Sequence, residues 1–157
     1  IPYSQAYMER AMVAHPVTTR MLMELFAARF DPKRCDPAAA QEARRRMERE
    51  FGSLMGEELR ARLPAVIGTT LDCYIHPRPQ QIQTLAHVID DLLDLVSSLD
   101  EDRILRAFKD TILATLRTSA WQRDEDGRAK DGIAFKFDSS KVPGLPKPVP
   151  FREIFVY

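Results

Sequence analysis

The chain has 157 residues, 45% of them hydrophobic and 29% charged, the composition of an ordinary globular protein with room for one core. Its 23 Lys+Arg balance 23 Asp+Glu, so no net field draws it to nucleic acid or to an anionic membrane surface. No apolar run approaches the roughly 20 residues that cross a bilayer.

The first helix is expected from Ser4, a good N-cap, with Tyr7, Met8, Ala11 and Met12 at helical spacing behind it. His15-Pro16 ends it and opens a second helix, because proline fits the first helical turn. Met21, Leu22, Leu25 and Phe26 form the apolar stripe of that helix, and Phe30-Asp31-Pro32 stops it. Asp36-Pro37 is a second cap and first-turn pair. The stretch from 38 to 63 is rich in strong helix formers, with Met47, Phe51, Leu54, Met55 and Leu59 on its inner face and Pro64 at its end.

Residues 65–75 read as helical, and the "HPRP" of 76–79 as a break. From Ile82 the pattern is the cleanest in the chain: Ile82, Leu85, Ile89, Leu92, Val96 and Leu99 are spaced 3-4-3-4-3, the seam of a helix in a bundle or coiled coil. Asp100 is expected to cap a last helix, with Glu101 and Asp102 in its first turn and Ile104, Leu105, Phe108, Ile112, Leu113 and Leu116 on its buried face.

Near Thr118 the grammar changes. Residues 119–123 suit a strand and the charged, glycine-containing 124–132 suit a turn. In 133–137 the residues alternate, with Ile133, Phe135 and Phe137 on one face. A proline-rich connector then leads to a short apolar strand, in which Ile154 and Val156 point one way and Phe155 and Tyr157 the other. The expected fold class is therefore mainly α: a bundle of about five helices, then a β-hairpin and one further strand. A strand apolar on both faces must be covered on both, and two or three strands alone are barely stable in water. The final strand is accordingly expected to belong to a larger sheet that continues past Tyr157.

Three segments, in this order, carry a resemblance: "HPVTTRMLMELFAARFDP" (15–32), "SLDEDRILRAFKDTILATLRTSAWQ" (98–122) and "IAFKFDSSKVPGLPKPVPFREIFVY" (133–157). Together they resemble the large, multidomain bacterial NAD-dependent glutamate dehydrogenases, where a helical region leads into the β segment that begins the catalytic domain. The match is weakest over about 60–95, where "IGTTLDCYIHPRPQQ" is unlike the family segment. Arg117-Thr118-Ser119-Ala120-Trp121-Gln122 also departs from the family's usual aromatic run.

The resemblance implies a parent enzyme that deaminates L-glutamate oxidatively to 2-oxoglutarate and ammonia with NAD as hydride acceptor. It implies a cytoplasmic protein that assembles as a homo-oligomer, with the rest of the same polypeptide, catalytic and N-terminal regulatory domains, as this segment's partners, and no nucleic acid or membrane. Residues 1–118 are then a helical scaffold and 119–157 the first strands of the catalytic domain. No catalytic, cofactor-binding or metal-ligating residue is carried over. The family's catalytic lysine motifs lie downstream, and the six glycines (52, 56, 68, 127, 132 and 144) form no GxGxxG turn for a pyrophosphate. The segment alone is expected to be inactive. A second reading, from another class, is a free-standing helical adaptor that binds through the 82–99 seam or the proline segment.

Other features have plain structural readings beside their functional ones. Cys73-x-x-His76, with Cys35, His15 and His87, supplies metal-ligating atom types but lacks a second tight pair, so free thiols in a reducing compartment and helix-end histidines are expected. Pro143, Pro146, Pro148 and Pro150 suit a stiff connector better than a polyproline ligand. The 82–99 seam suits packing inside the helical domain better than oligomerisation. The "RRRMERE" of 44–50 suits a charged helix face with Arg44–Glu48 and Arg46–Glu50 pairs better than a phosphate site. Trp121, Phe135 and Phe137 suit hairpin packing better than stacking on a base or nicotinamide.

Overall fold

The computed structural model describes residues 3–54, 56–62, 64–145, 147 and 152–156. Among these the chain forms seven α-helices and three strands in the order α1 (Gln5–Ala14), α2 (Pro16–Phe30), α3 (Pro37–Leu54), α4 (Glu57–Arg62), α5 (Pro64–Cys73), α6 (Arg78–Leu93), α7 (Leu99–Ala114), β1 (Thr115–Thr118), β2 (Ala134–Asp138) and β3 (Arg152–Val156). Short 3-10 turns, Pro32–Cys35 and Ser139–Lys141, follow α2 and β2. The mainly α class with a small antiparallel sheet is as expected from the sequence.

The caps explain most of the boundaries. The Ser4 hydroxyl accepts from the Tyr7 amide at 3.2 Å and starts α1. Pro16 sits at the start of α2, where a missing N–H costs nothing. The Asp36 carboxylate accepts from the Ala38 amide at 2.9 Å ahead of α3. The single helix expected over 38–63 is interrupted instead. α3 ends at Leu54, Gly56 lies between, and α4 is a short separate turn, because glycine forfeits helix stability at that point. Met47 and Phe51 are buried as expected and Leu54 is half-buried; Met55 and the Leu59 side chain fall outside the described residues.

Two further boundaries differ. α6 begins earlier than Ile82 and stops at Leu93, so the 82–99 seam is not one helix. Leu85, Ile89 and Leu92 are buried, Ile82 and Val96 half-buried, and Leu99 is 63% exposed at the start of α7. The 3-4 spacing continues across the turn although the helix does not. At α7 the cap is Ser98, whose hydroxyl accepts from the Glu101 amide at 3.3 Å. Asp100, Glu101 and Asp102 then all lie in the first turn, where negative charge complements the helix dipole.

The helix expected to reach Leu116 passes directly into β1 at Thr115, and Leu116 is exposed. The Thr115 hydroxyl donates back to the Thr111 carbonyl at 2.8 Å, and Thr115 then pairs with Phe137. The strand expected at 119–123 is instead the base of an arm held by one bridge, Arg123 to Ala129. Its tip is closed by the Asp124 carboxylate, which accepts from the Asp126 and Arg128 amides at 3.0 and 2.8 Å, with Gly127 at a φ of 78°. The sheet order is β1-β2-β3, antiparallel throughout.

The chain divides into two compact units, Ile1–Leu105 and Arg106–Tyr157, and α7 contributes to both. In the first unit α2 packs chiefly against α6, which α5 also contacts. Met21, Leu25, Met47, Phe51, Leu85, Ile89, Leu93 and Leu105 form its core. In the second unit Ile154 and Val156, on one face of β3, are 70% and 74% exposed.

Candidate functional site

Within the first unit, polar side chains converge at one buried place, where α2, the first 3-10 turn, α5 and α6 meet. The inner stripe of α2 carries a single acid, Glu24, among Met21, Leu22, Leu25 and Ala28. Arg34 Nη2 donates to Glu24 Oε2 at 2.9 Å, and the Tyr74 hydroxyl donates to the same oxygen. Arg20 Nε stands 3.3 Å from Glu24 Oε1, and Arg20 Nη2 lies 2.7 Å from Glu50 Oε2 on α3. These Arg20 contacts are close ion pairs whose N–H groups are not fully aligned as hydrogen bonds.

Arg34 is 5% exposed. Its Nε donates to Gln81 Oε1 at 2.8 Å, and its guanidinium lies over the Tyr74 ring, 4.3 Å from the centroid. Gln81 Nε2 in turn donates to the His76 carbonyl at 2.7 Å. Arg78 closes the C-terminus of α2 by donating to the Ala28 and Asp31 carbonyls at 2.6 and 2.8 Å, a favourable end for a helix dipole. Pro32, held by the Asp31 carboxylate on the Lys33 amide, makes the turn that delivers Arg34 inward.

The electrostatics follow from burial and pairing. Burial pushes the Tyr74 phenol above the ordinary tyrosine range, and the Glu24 charge adds to the shift. Burial pushes the Cys73 thiol up to about 11 against the opposing pull of Arg34. For Arg34 burial acts downward, but the charge and hydrogen bond of Glu24 are the main opposing causes, the balance is upward, and the guanidinium stays charged. Tyr74 therefore remains a neutral donor and Cys73 a neutral thiol. Neither is poised as a nucleophile or as an acid–base group near neutral pH. What the arrangement does is mechanical: the hydrogen bonds joining Glu24, Arg34, Tyr74 and Gln81 lock α2, the turn, α5 and α6 in one register.

A cavity of about 390 Å³ opens beside the lock, lined by Arg34, Cys35, Tyr74, Ile75, His76 and Pro77 among others. Of the metal-ligating types singled out in the sequence, the structure brings Cys35 and His76 to this cavity. Cys73 is buried. His15 Nε2 lies 2.7 Å from Glu101 Oε2 instead, and His87 is exposed on α6. Among the described residues no three His, Cys, Asp or Glu side chains are grouped to hold a metal ion.

The other features sort as follows. Glu50 pairs with Arg20 rather than with Arg46, and Arg49 stands 3.8 Å from Glu42, so the charged face of α3 reaches α2 as well as solvent. Phe135 and Phe137 stack on β2 with centroids 6.0 Å apart and planes within 3°; Trp121 is half-buried in the arm. Pro143 precedes a turn at Gly144 with a φ of 75°, and Pro146, Pro148 and Pro150 lie outside the described residues. No helix among the described residues is long and apolar enough to cross a membrane.

The strands pair only antiparallel among the described residues, and neither positive-φ glycine leads into a helix there. A parallel βαβ unit with a glycine turn at a helix N-terminus is what a pyrophosphate requires.

Sequence reasoning missed the buried lock. Its one local signal is Glu24, a charge at a position where the α2 stripe calls for an apolar side chain.

Residues 88–157 match the family model described as bacterial NAD-glutamate dehydrogenase, catalytic domain, and residues 1–32 match glutamate dehydrogenase, helical motif 3. The chain is 37% identical over 153 residues to the NAD-specific glutamate dehydrogenase of Halomonas elongata, covering 98% of this chain and 7% of that protein. It is 32% identical over 157 residues to that of Mycobacterium tuberculosis, covering 99% of this chain and 7% of that protein. It is also 51% identical over 75 residues to that of Pseudomonas aeruginosa, covering 48% of this chain and 5% of that protein. The chain thus spans about 7% of the length of the first two.

Proposed function

Because the chain belongs to the family of bacterial NAD-glutamate dehydrogenases, we propose that it is the helical scaffold at the entrance to the catalytic domain of such an enzyme. The parent reaction is oxidative deamination of L-glutamate to 2-oxoglutarate and ammonia with NAD as hydride acceptor. Residues 1–118 act as the scaffold and 119–157 open the catalytic domain, with β1 at the junction. The rest of the polypeptide is the partner of this segment, and the whole works as a cytoplasmic homo-oligomer. When bound elsewhere in the parent, NAD supplies the hydride chemistry; the residues of this chain hold a neighbouring domain in place.

One observation carries the reading. A three-stranded sheet presents Ile154 and Val156 largely to solvent on one face. Such a sheet acquires full stability only when a further layer covers that face. The matching assay follows NADH formation from L-glutamate and NAD. The full-length polypeptide turns over and residues 1–157 alone do not. Turnover by the 157-residue chain, or a full-length polypeptide inert toward glutamate with NAD, overturns the proposal.

A further inference from the structure

The register of the sheet sorts its side chains into two unlike faces. Lys136 pairs with Ile154 on one side and with Arg117 on the other, Ala134 pairs with Val156, and Asp138 pairs with Arg152. Residues directly opposite share a face, as do residues two apart on a strand. Arg117, Lys136, Asp138, Arg152, Ile154 and Val156 therefore share one face, on which Asp138 is the acid beside Arg152, and Phe135 and Phe137 lie on the other.

The first face combines two kinds of unmet demand. Ile154 and Val156 are exposed apolar side chains. Arg152 stands 3.5 Å from Asp138, whereas Arg117 and Lys136 have no ionic partner among the described residues. A wholly apolar cover would bury those two cations unpaired, at a cost that exceeds what the apolar contact contributes. A polar cover would leave Ile154 and Val156 wet. β1 and β3 are two strand spacings apart, roughly 10 Å, which is the width of one helix with its side chains. A single helix thus reaches Arg117, Lys136 and Ile154 together.

We infer that this face is the docking surface for one amphipathic helix whose apolar stripe is flanked by Asp or Glu. The inference rests on the function proposed above, since the helix comes from the longer polypeptide. Its stripe packs on Ile154 and Val156, and its carboxylates meet Arg117 and Lys136. Helices on the faces of a sheet are the common way such layers close.

The test uses the full-length polypeptide with a photoreactive side chain, Val156→p-benzoylphenylalanine, and Met23→p-benzoylphenylalanine, an exposed site on α2, as reference. Irradiation, digestion and mass spectrometry are expected to find one peptide joined to position 156. It comes from the same polypeptide, with apolar residues at helical spacing and acids beside them. Charge reversal by Arg117→Glu with Lys136→Glu lowers that yield about tenfold, the equivalent of about 1.4 kcal/mol of docking, whereas Arg117→Lys with Lys136→Arg keeps it.

Capture of an acid-free or strand-forming peptide overturns the inference. So does capture of a second copy, detected by mixing heavy-isotope-labelled and ordinary protein, or a yield at 156 no higher than at 23. Glutamate-dependent NADH formation by the unsubstituted polypeptide is measured separately. Its absence overturns the proposed function, while a failed capture in an active enzyme overturns the docking alone.

Discussion

Replacing Arg34 with Met removes the cation from the buried lock while filling most of its volume. At a separation of about 4 Å between charge centres, and an effective dielectric of about 20, the Arg34–Glu24 attraction is about 4 kcal/mol. Glu24 keeps Arg20 at 3.3 Å and the Tyr74 phenol, which offset part of the loss. Gln81 loses the donor on its Oε1, which costs about 1 to 3 kcal/mol when the group stays buried. The net expectation is about 3 kcal/mol, the lower end of what stranding one member of a buried pair costs. With a urea slope of about 2 kcal/mol per molar, the midpoint of the helical circular-dichroism transition falls by roughly 1.5 M. Arg34→Lys keeps the charge but not the fork that reaches Glu24 and Gln81 at once, and loses about half as much. The costs of Arg34→Met and Glu24→Gln fall short of additivity by about 2 kcal/mol when combined. A midpoint shift for Arg34→Met below about 0.5 M, or fully additive costs, would refute the claim that these residues lock the helices.

The Cys73 thiol is held neutral by burial, with a folded pKa of about 11. A thiol raised in this way contributes stability that is whole below the ordinary thiol range and is lost as pH climbs toward that value, about 2 to 3 kcal/mol in all. Cys73→Ala should flatten the alkaline limb of a stability–pH curve, and iodoacetamide at neutral pH should label the exposed Cys35 while leaving Cys73 untouched until the chain unfolds; equal labelling of both in the folded state would contradict this. Along the former seam, Ile89→Ala should cost about 2 to 5 kcal/mol, because it empties a fully buried site on α6. Leu99→Ala should stay within about 0.5 kcal/mol in the same urea titration, since Leu99 faces solvent at the start of α7.

Much of the architecture is a local property and could be read one residue after another. Ser4, Pro16, Asp36 and Pro64 act within a turn of themselves, so they announce helix ends without reference to the rest of the molecule. The alternation at 133–137 and the shared facing of Ile154 and Val156 are likewise fixed by strand geometry, and β2 and β3 form where they indicate. The order of the three quoted segments was enough to identify the family. The candidate lock was not legible. Glu24 meets Arg34 ten residues on and Tyr74 fifty residues on, and Arg34 meets Gln81 forty-seven residues on. No periodicity reaches that far.

The strand at Thr115 and the end of α6 at Leu93 belong to the same class. Residues 115–118 continue a helical pattern and become a strand because Phe137 and Phe135 are there to pair with. The 82–99 spacing persists where the chain has already turned. By itself, then, the sequence determined the helical and extended periods, the caps and the kinship, since each depends on backbone geometry over a few residues. Only the tertiary structure decided which charges are buried together, where a helix yields to a strand, and which sheet face stands open, because those depend on partners that folding brings from far along the chain.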